Sequence, residues 1–261
     1  MIRLVPMLAL LVFVASGCVE AACACAPPNL QVFGASSLSH ALDEFATAYE
    51  ATGRVSAVTP ATGSSGSLRV QIEQGAPADL FLAADTANPQ ALFDSGLSDG
   101  PPMPFATNHL IVVVPEENPA GITSAADLAR PNVAVIAAGE DVPITRYAEQ
   151  LVTNLAALPG YPPDFAAAYA ANIASREDNV GAVVSKIELG EGDAAIVYVT
   201  DAGAASVQSV EIPIEADVVA TYSGVILKRT QHPVASRDLL DWIRGAGGQT
   251  ILVDLGFSPA P

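Results

Sequence analysis

The chain has 261 residues, 51% of them hydrophobic and only 15% charged, which excludes a disordered chain and allows one large domain or two lobes that each bury a core. Its formal net charge is −17, from 11 basic and 28 acidic residues. So acidic a surface disfavours nucleic acid, whose affinity rests on Lys and Arg against phosphates, and it admits an anion only where a local site overrides it.

The N-terminus, MIRLVPMLALLVFVASGC, carries one Arg3, an apolar run to about Ala15, and small residues ending at Cys18, which is the plan of an export signal. The run is too short for a membrane span. Ala15-Ser16-Gly17-Cys18 resembles a bacterial lipobox, so residues 1–17 are expected to be a signal peptide and Cys18 a lipid attachment point. Ordinary cleavage after Ala22 or Ala24 is the alternative. Cysteines occur only at 18, 23 and 25, ahead of the folded region, so no disulfide staples the core. Residues 18–29 (CVEAACACAPPN) read as a small-residue tether.

From Leu30 the periods alternate. An apolar LQVFGA precedes Leu38, Ala41, Leu42, Phe45 and Tyr49 at helical spacing; RVSAVTPA and SLRVQIEQG follow as strand and helix, then ADLFLAA, a helix at about 86–95, a Pro-rich turn at 100–104 and HLIVVVP. Next come NVAVIAA, helices at 143–158, about 163–174 and 180–189, then AAIVYVT, VEIP, VVATYSGVILK and a closing helix at about 234–244. Apolar strands alternating with helices predict an α/β protein with mostly parallel sheets covered on both faces. In such sheets ligands collect beyond the carboxyl ends of strands, where helix N-termini point.

Four segments place small or hydroxylic residues between a strand and a helix: VFGASSL, ATGSSGSL, GEDVPITRYAEQL and SREDNVGAVVSKI. Each helix start carries unpaired N–H groups and a positive dipole end, an anion site without formal charge. Singly, each has an ordinary explanation: Ser37 as a cap, the Thr-Gly-Ser-Ser-Gly stretch as a flexible turn, Tyr198 as a packed strand aromatic, Pro143 as a first helical residue. Recurrence of one device along the chain is what those explanations leave over. The histidines, at 40, 109 and 232, show no metal-ligand spacing, so no metal is expected.

These motifs together, with QIEQGAPADLF, NHLIVVVP, EGDAAIVYVTDA and a terminal LGF, resemble the periplasmic molybdate-binding proteins of ABC transporters, within the type II solute-binding class. The resemblance runs over about residues 30–257. It implies two α/β lobes joined by two crossing strands, lobe 1 from 30–107 plus 222–261 and lobe 2 from 108–221. It also implies an oxyanion held by the hydroxyls of Ser37 and Ser65 from the first lobe, and by the amides of Ile144 and Val180 and the Tyr198 hydroxyl from the second. Two departures stand out: Ile144 replaces a common alanine, and Gly66 follows Ser65 where serine is common, leaving open which of Ser64 and Ser65 points inward.

The function so implied is capture of molybdate or tungstate, without catalysis or cofactor, by an exported monomer that delivers it to an ABC permease, membrane-tethered if lipidated. Sulfate and phosphate are alternatives on the same fold. Phosphate carries a proton and needs an acceptor, which Asp178 or Asp201 could supply. An iron binder of this fold would want adjacent tyrosines, and none adjoin. A serine hydrolase is the rival from another class: no G-x-S-x-G surrounds Ser37 or Ser65, and His40, three residues beyond Ser37, lacks an evident orienting carboxylate.

Overall fold

The computed structural model describes residues 26–260; the segment read as a signal peptide, most of that read as a tether, and Cys18 with the other two cysteines lie outside the described residues. The chain opens with β1 (Asn29–Ala35), a 3-10 turn at Ser36–Leu38, α1 (Ser39–Glu50), β2 (Ala57–Gly63), α2 (Ser65–Glu73), β3 (Leu80–Ala83) and α3 (Ala87–Asp94). It then runs through β4 (Met103–Asn108), β5 (Leu110–Pro115), β6 (Val135–Ala138), α4 (Pro143–Ala156), α5 (Phe165–Ala171), β7 (Ile173–Glu177), α6 (Val180–Glu188) and β8 (Ala194–Tyr198). The last part holds α7 (Val199–Gly203), β9 (Val207–Val210), β10 (Ala220–Ile226), α8 (Pro233–Arg244), α9 (Ala246–Asp254) and β11 (Ser258–Pro259).

The strands form two sheets, ordered β11-β4-β10-β3-β1-β2 and β7-β6-β8-β5-β9. β1, β3 and β5 are almost wholly buried, which is why their sequences read as continuous apolar runs rather than alternating ones. α1 buries Ala41, Leu42, Phe45 and Tyr49 from one stripe. Phe45 and Tyr49 meet Trp242 of α8 at centroid distances of 5.9 and 5.3 Å. Each such fully buried ring contributes about 1.5–3 kcal/mol by burial alone.

The sheets are joined where β4 of the first runs into β5 of the second with only His109 between them, and where residues 211–219 return the chain to β10. His109 Nδ1 lies 2.8 Å from Asp217 Oδ2, so the two connections are tied to each other. Strand membership places Asn108 and Ala220–Thr221 in the first sheet, so the boundaries read at 107/108 and 221/222 fall inside β4 and β10.

Three local features differ from the sequence reading. The sheets are mixed rather than mostly parallel: β1–β2, β1–β3, β6–β7 and β6–β8 are parallel, and every antiparallel pairing involves β4, β5 or β10. A strand that leaves one sheet for the other enters it against the local direction. β7 occupies ground read as the end of a helix; it is an edge strand, IASRE, whose half-exposed polar residues hide the strand period. α9 went unread because AGGQ looks like a helix breaker. There a Cβ on Gly248 would lie 2.3 Å from Ile243 Cα, so glycine is what lets α9 pack against the end of α8.

Candidate functional site

Ser37 sits in the 3-10 turn between β1 and α1 and is buried. Its Oγ is 3.0 Å from the Tyr222 hydroxyl on β10. At the next turn the two serines divide the work. Ser64 is the N-cap of α2, its Oγ accepting from the Ser67 amide at 3.3 Å. Ser65, 1% exposed, accepts the Ala84 amide at 3.1 Å through Oγ, which leaves its O–H proton available.

From the second sheet, Pro143 opens α4, and Ile144 lies in the first turn, where no intrahelical acceptor exists for its N–H. α6 begins at Val180 and is capped by Asn179, whose side chain accepts from the Ala182 amide at 3.0 Å. Tyr198 ends β8. It is 1% exposed, and its hydroxyl has no hydrogen-bond partner among the described residues.

All five candidates line one small cavity, with Ala35, Ser36, Gly63, Ser64, Ala84, Val142 and Pro143 completing the wall. About 10 Å³ of it is open to the centre of a water molecule, enough for one compact group. No charged side chain belongs to the lining, and neither Asp178 nor Asp201 reaches it. The chemistry is that of hydroxyl donors and helix-start amides from both sheets, set among buried side chains where such dipoles act strongly.

Behind the cavity stands a tyrosine cluster that sequence spacing could not show. The Tyr198 ring packs edge-on against Tyr222 at 5.6 Å and Tyr147 at 6.4 Å. Burial drives the pKa of Tyr198 well above the ordinary phenol value; it does the same to Tyr222, against the hydrogen bonds from Ser37 and Asn108. Both therefore stay neutral O–H groups at physiological pH, the form that donates to an oxyanion. His40 is exposed and Ser37 pairs with Tyr222, so the Ser37–imidazole hydrogen bond of a nucleophile is not made.

Charged groups lie just outside. Asp85, the residue after Ala84, is 1% exposed and bonds Arg146 of α4 at 2.7 Å. Burial raises the Asp85 pKa, opposed by hydrogen bonds from Asn88 and by Arg146. Asp85 directly follows the ADLFLAA segment and Arg146 stands in GEDVPITRYAEQL, but a charged pair split between two segments gives no local signal. Ser36 and Ser37 also border a wider cleft of about 680 Å³, rimmed by Glu188, Asp201 and Asp254. The Asp201 carboxyl is driven up to about 7 by burial, against a hydrogen bond from the Tyr198 amide.

Two mixed α/β sheets joined by a pair of crossings, with a buried donor-lined cavity between their helix starts, define a two-lobed binding protein of the type II class. The family model for the bacterial extracellular solute-binding proteins matches residues 30–258, and the chain belongs to that family. The molybdate-binding protein ModA of Mycobacterium tuberculosis is 34% identical over 232 residues, 88% of this chain and 84% of that protein. Among solved structures, the periplasmic molybdate-binding protein of Azotobacter vinelandii superposes with a TM-score of 0.74 at 23% identity, over 89% of this chain and all of that one. The sulfate-binding protein SubI of Mycobacterium tuberculosis gives 0.78 at 20% identity, over 89% and 87%. At those identities the two structures speak to fold alone. No helix among the described residues is long and apolar enough to cross a membrane.

Proposed function

We propose that the chain captures molybdate or tungstate between its lobes and delivers it to an ABC permease, doing no chemistry on it. The carrying observation is the cavity: hydroxyl and amide donors from both sheets, without a carboxylate or a cation. Ser37, Ser65 and Tyr198 act as hydroxyl donors, and Ile144 and Val180 through their amides. A dianion stripped of water finds hydroxyl and amide donors there; a protonated anion such as phosphate finds no carboxylate to take its proton. The mycobacterial relative carries a molybdate-binding name, which supports the choice of ligand. Sulfate is the second reading, favoured by the likeness to SubI, and cavity size must separate it from the larger anions. Donors divided between the lobes are stronger in the closed form, which is how the ligand drives closure. The exported monomer is held to the membrane by a lipid on Cys18.

A thermal-shift screen over molybdate, tungstate, sulfate, phosphate and ferric citrate tests this. A ligand at 100 times its dissociation constant adds about 2.7 kcal/mol. For a chain of this size that is roughly 5–11 °C in Tm. The expected result is a shift of that order with molybdate and tungstate and none with ferric citrate. No shift with any oxyanion refutes the reading, and a shift with sulfate alone transfers it to sulfate.

A further inference from the structure

Of the ion pairs among the described residues, Arg146–Asp85 is the one that joins an element of the second sheet to an element of the first. We propose that Arg146 and Asp85 form a latch across the cleft, so that Arg146 strengthens anion capture without touching the anion. The inference rests on the functional reading above and adds to it a pair of positioning residues outside the donor set.

The two halves of the latch are built differently. Asp85 is fixed on its own lobe: Oδ1 accepts the Asn88 amide at 3.0 Å and Oδ2 accepts Asn88 Nδ2 at 2.9 Å, while Asn88 Oδ1 is held by Arg69 Nε at 3.0 Å. The acceptor is thus held by groups of its own lobe, independently of Arg146. Its side chain is 2% exposed with Arg146 docked, and Arg146 remains 52% exposed. Closure therefore adds the only cation bonded to a buried carboxylate among the described residues, at 2.7 Å. Both residues are coupled to the cavity by short covalent paths. Ala84, which precedes Asp85, donates its amide to Ser65 and lines the wall; Ile144, two residues before Arg146, lines the opposite wall. A ligand that draws α4 toward α2 carries Arg146 onto Asp85.

The opposing hypothesis is that Arg146 acts at a distance, as a positive charge attracting a dianion. The two differ in sign at Asp85. If Arg146 attracts the anion directly, removing the Asp85 charge tightens binding; if it latches, removing either partner weakens it.

The test is calorimetry and stopped-flow release of molybdate from wild-type protein, Arg146→Met, Asp85→Asn and the double variant. The latch predicts that each single variant binds about 5- to 20-fold more weakly, mainly through faster release. The double variant should be no weaker than the weaker single one, because the lost interaction is shared. In small-angle scattering, Arg146→Met should need more molybdate than wild type to reach the compact form. Arg146 is half exposed, so its truncation spares the fold, and Arg146→Lys should restore part of the affinity. Unchanged affinity in Arg146→Met, or tighter binding in Asp85→Asn, overturns the latch while leaving the anion site standing. A wild-type protein that binds no oxyanion overturns the functional reading instead, and the latch with it.

Discussion

Replacing Tyr198 by phenylalanine separates binding from stability by the sign of two effects. The hydroxyl is buried without a partner among the described residues, an arrangement that costs about 1–3 kcal/mol where the group is cut off from water. Phenylalanine removes that cost and keeps the edge-on packing against Tyr222 and Tyr147. The ligand-free variant should therefore melt no lower than wild type, and up to several degrees higher at roughly 2–4 °C per kcal/mol. Binding should move the other way. A hydrogen bond to a charged group is worth about 1.5–3 kcal/mol, a 10- to 150-fold loss of molybdate affinity. Differential scanning of the ligand-free protein and titration calorimetry read the two quantities independently. Unchanged affinity removes Tyr198 from the donor set; a fall in ligand-free Tm of more than about 4 °C shows that the hydroxyl serves the fold, and the reasoning fails.

Ser37→Ala should weaken molybdate binding by the same 10- to 150-fold, and should also cost about 0.5–1.5 kcal/mol of stability, because the Tyr222 hydroxyl keeps only Asn108, at 3.5 Å; calorimetry and a denaturant curve check both. Gly66→Ala places a Cβ 2.5 Å from the Asp141 carbonyl oxygen across the cleft, so the variant should fold normally yet bind at least about tenfold more weakly, with scattering showing a more open liganded form; wild-type affinity would disprove the contact's role. Asp201 should make stability fall as pH rises. The folded state holds its proton up to about pH 7 whereas the unfolded chain releases it near 4, so the contribution is full below the unfolded pKa and lost as pH passes through the folded one. Asp201→Asn should flatten melting temperature between pH 4.5 and about 7.5, and an unaltered slope would refute the assignment.

What could be read from the sequence, and what could not, follows from the range of each signal. Helix starts are local: VFGASSL and DNVG announce a strand end, a hydroxyl or cap, and an apolar helix stripe within ten residues, and the turns appear where those patterns place them. The identity of the N-cap is nearly as local. Yet which of Ser64 and Ser65 caps α2 and which bonds the end of β3 depends on the Ala84 amide, nineteen residues beyond Ser65. Tyr222 escaped for the same reason: in VVATYSGVILK it is one aromatic in an apolar strand, and its pairing with Ser37 spans 185 positions. The sheets' antiparallel members were hidden by burial on both faces, since a buried run reads alike in either direction. Edge strand β7 and glycine-bearing α9 violate local propensity and are recovered only by packing against β6 and α8.

That a protein of net charge −17 should hold a dianion with neutral groups, as proposed, is less paradoxical once the charges are located. A lysine or arginine in the cavity wall would have to be desolvated before the ligand arrived, a cost of several kcal/mol repaid only on binding, and it would attract any anion regardless of protonation. The Ser37 and Ser65 hydroxyls are already held by their own hydrogen bonds and the amides by their helices, and a lining without a carboxylate disfavours a ligand that must give up an O–H. Burial of Tyr198 and Tyr222 extends that discrimination by keeping both phenols protonated well above the ordinary range. The bonded cation stands one step outside, in Arg146, where its charge meets a carboxylate of the protein instead of the cargo. Recognition and closure are thereby assigned to different groups. On the proposed reading the donors choose the anion, the ion pair weights the closed state, and the release rate can change through Arg146 without any change in which anion is chosen.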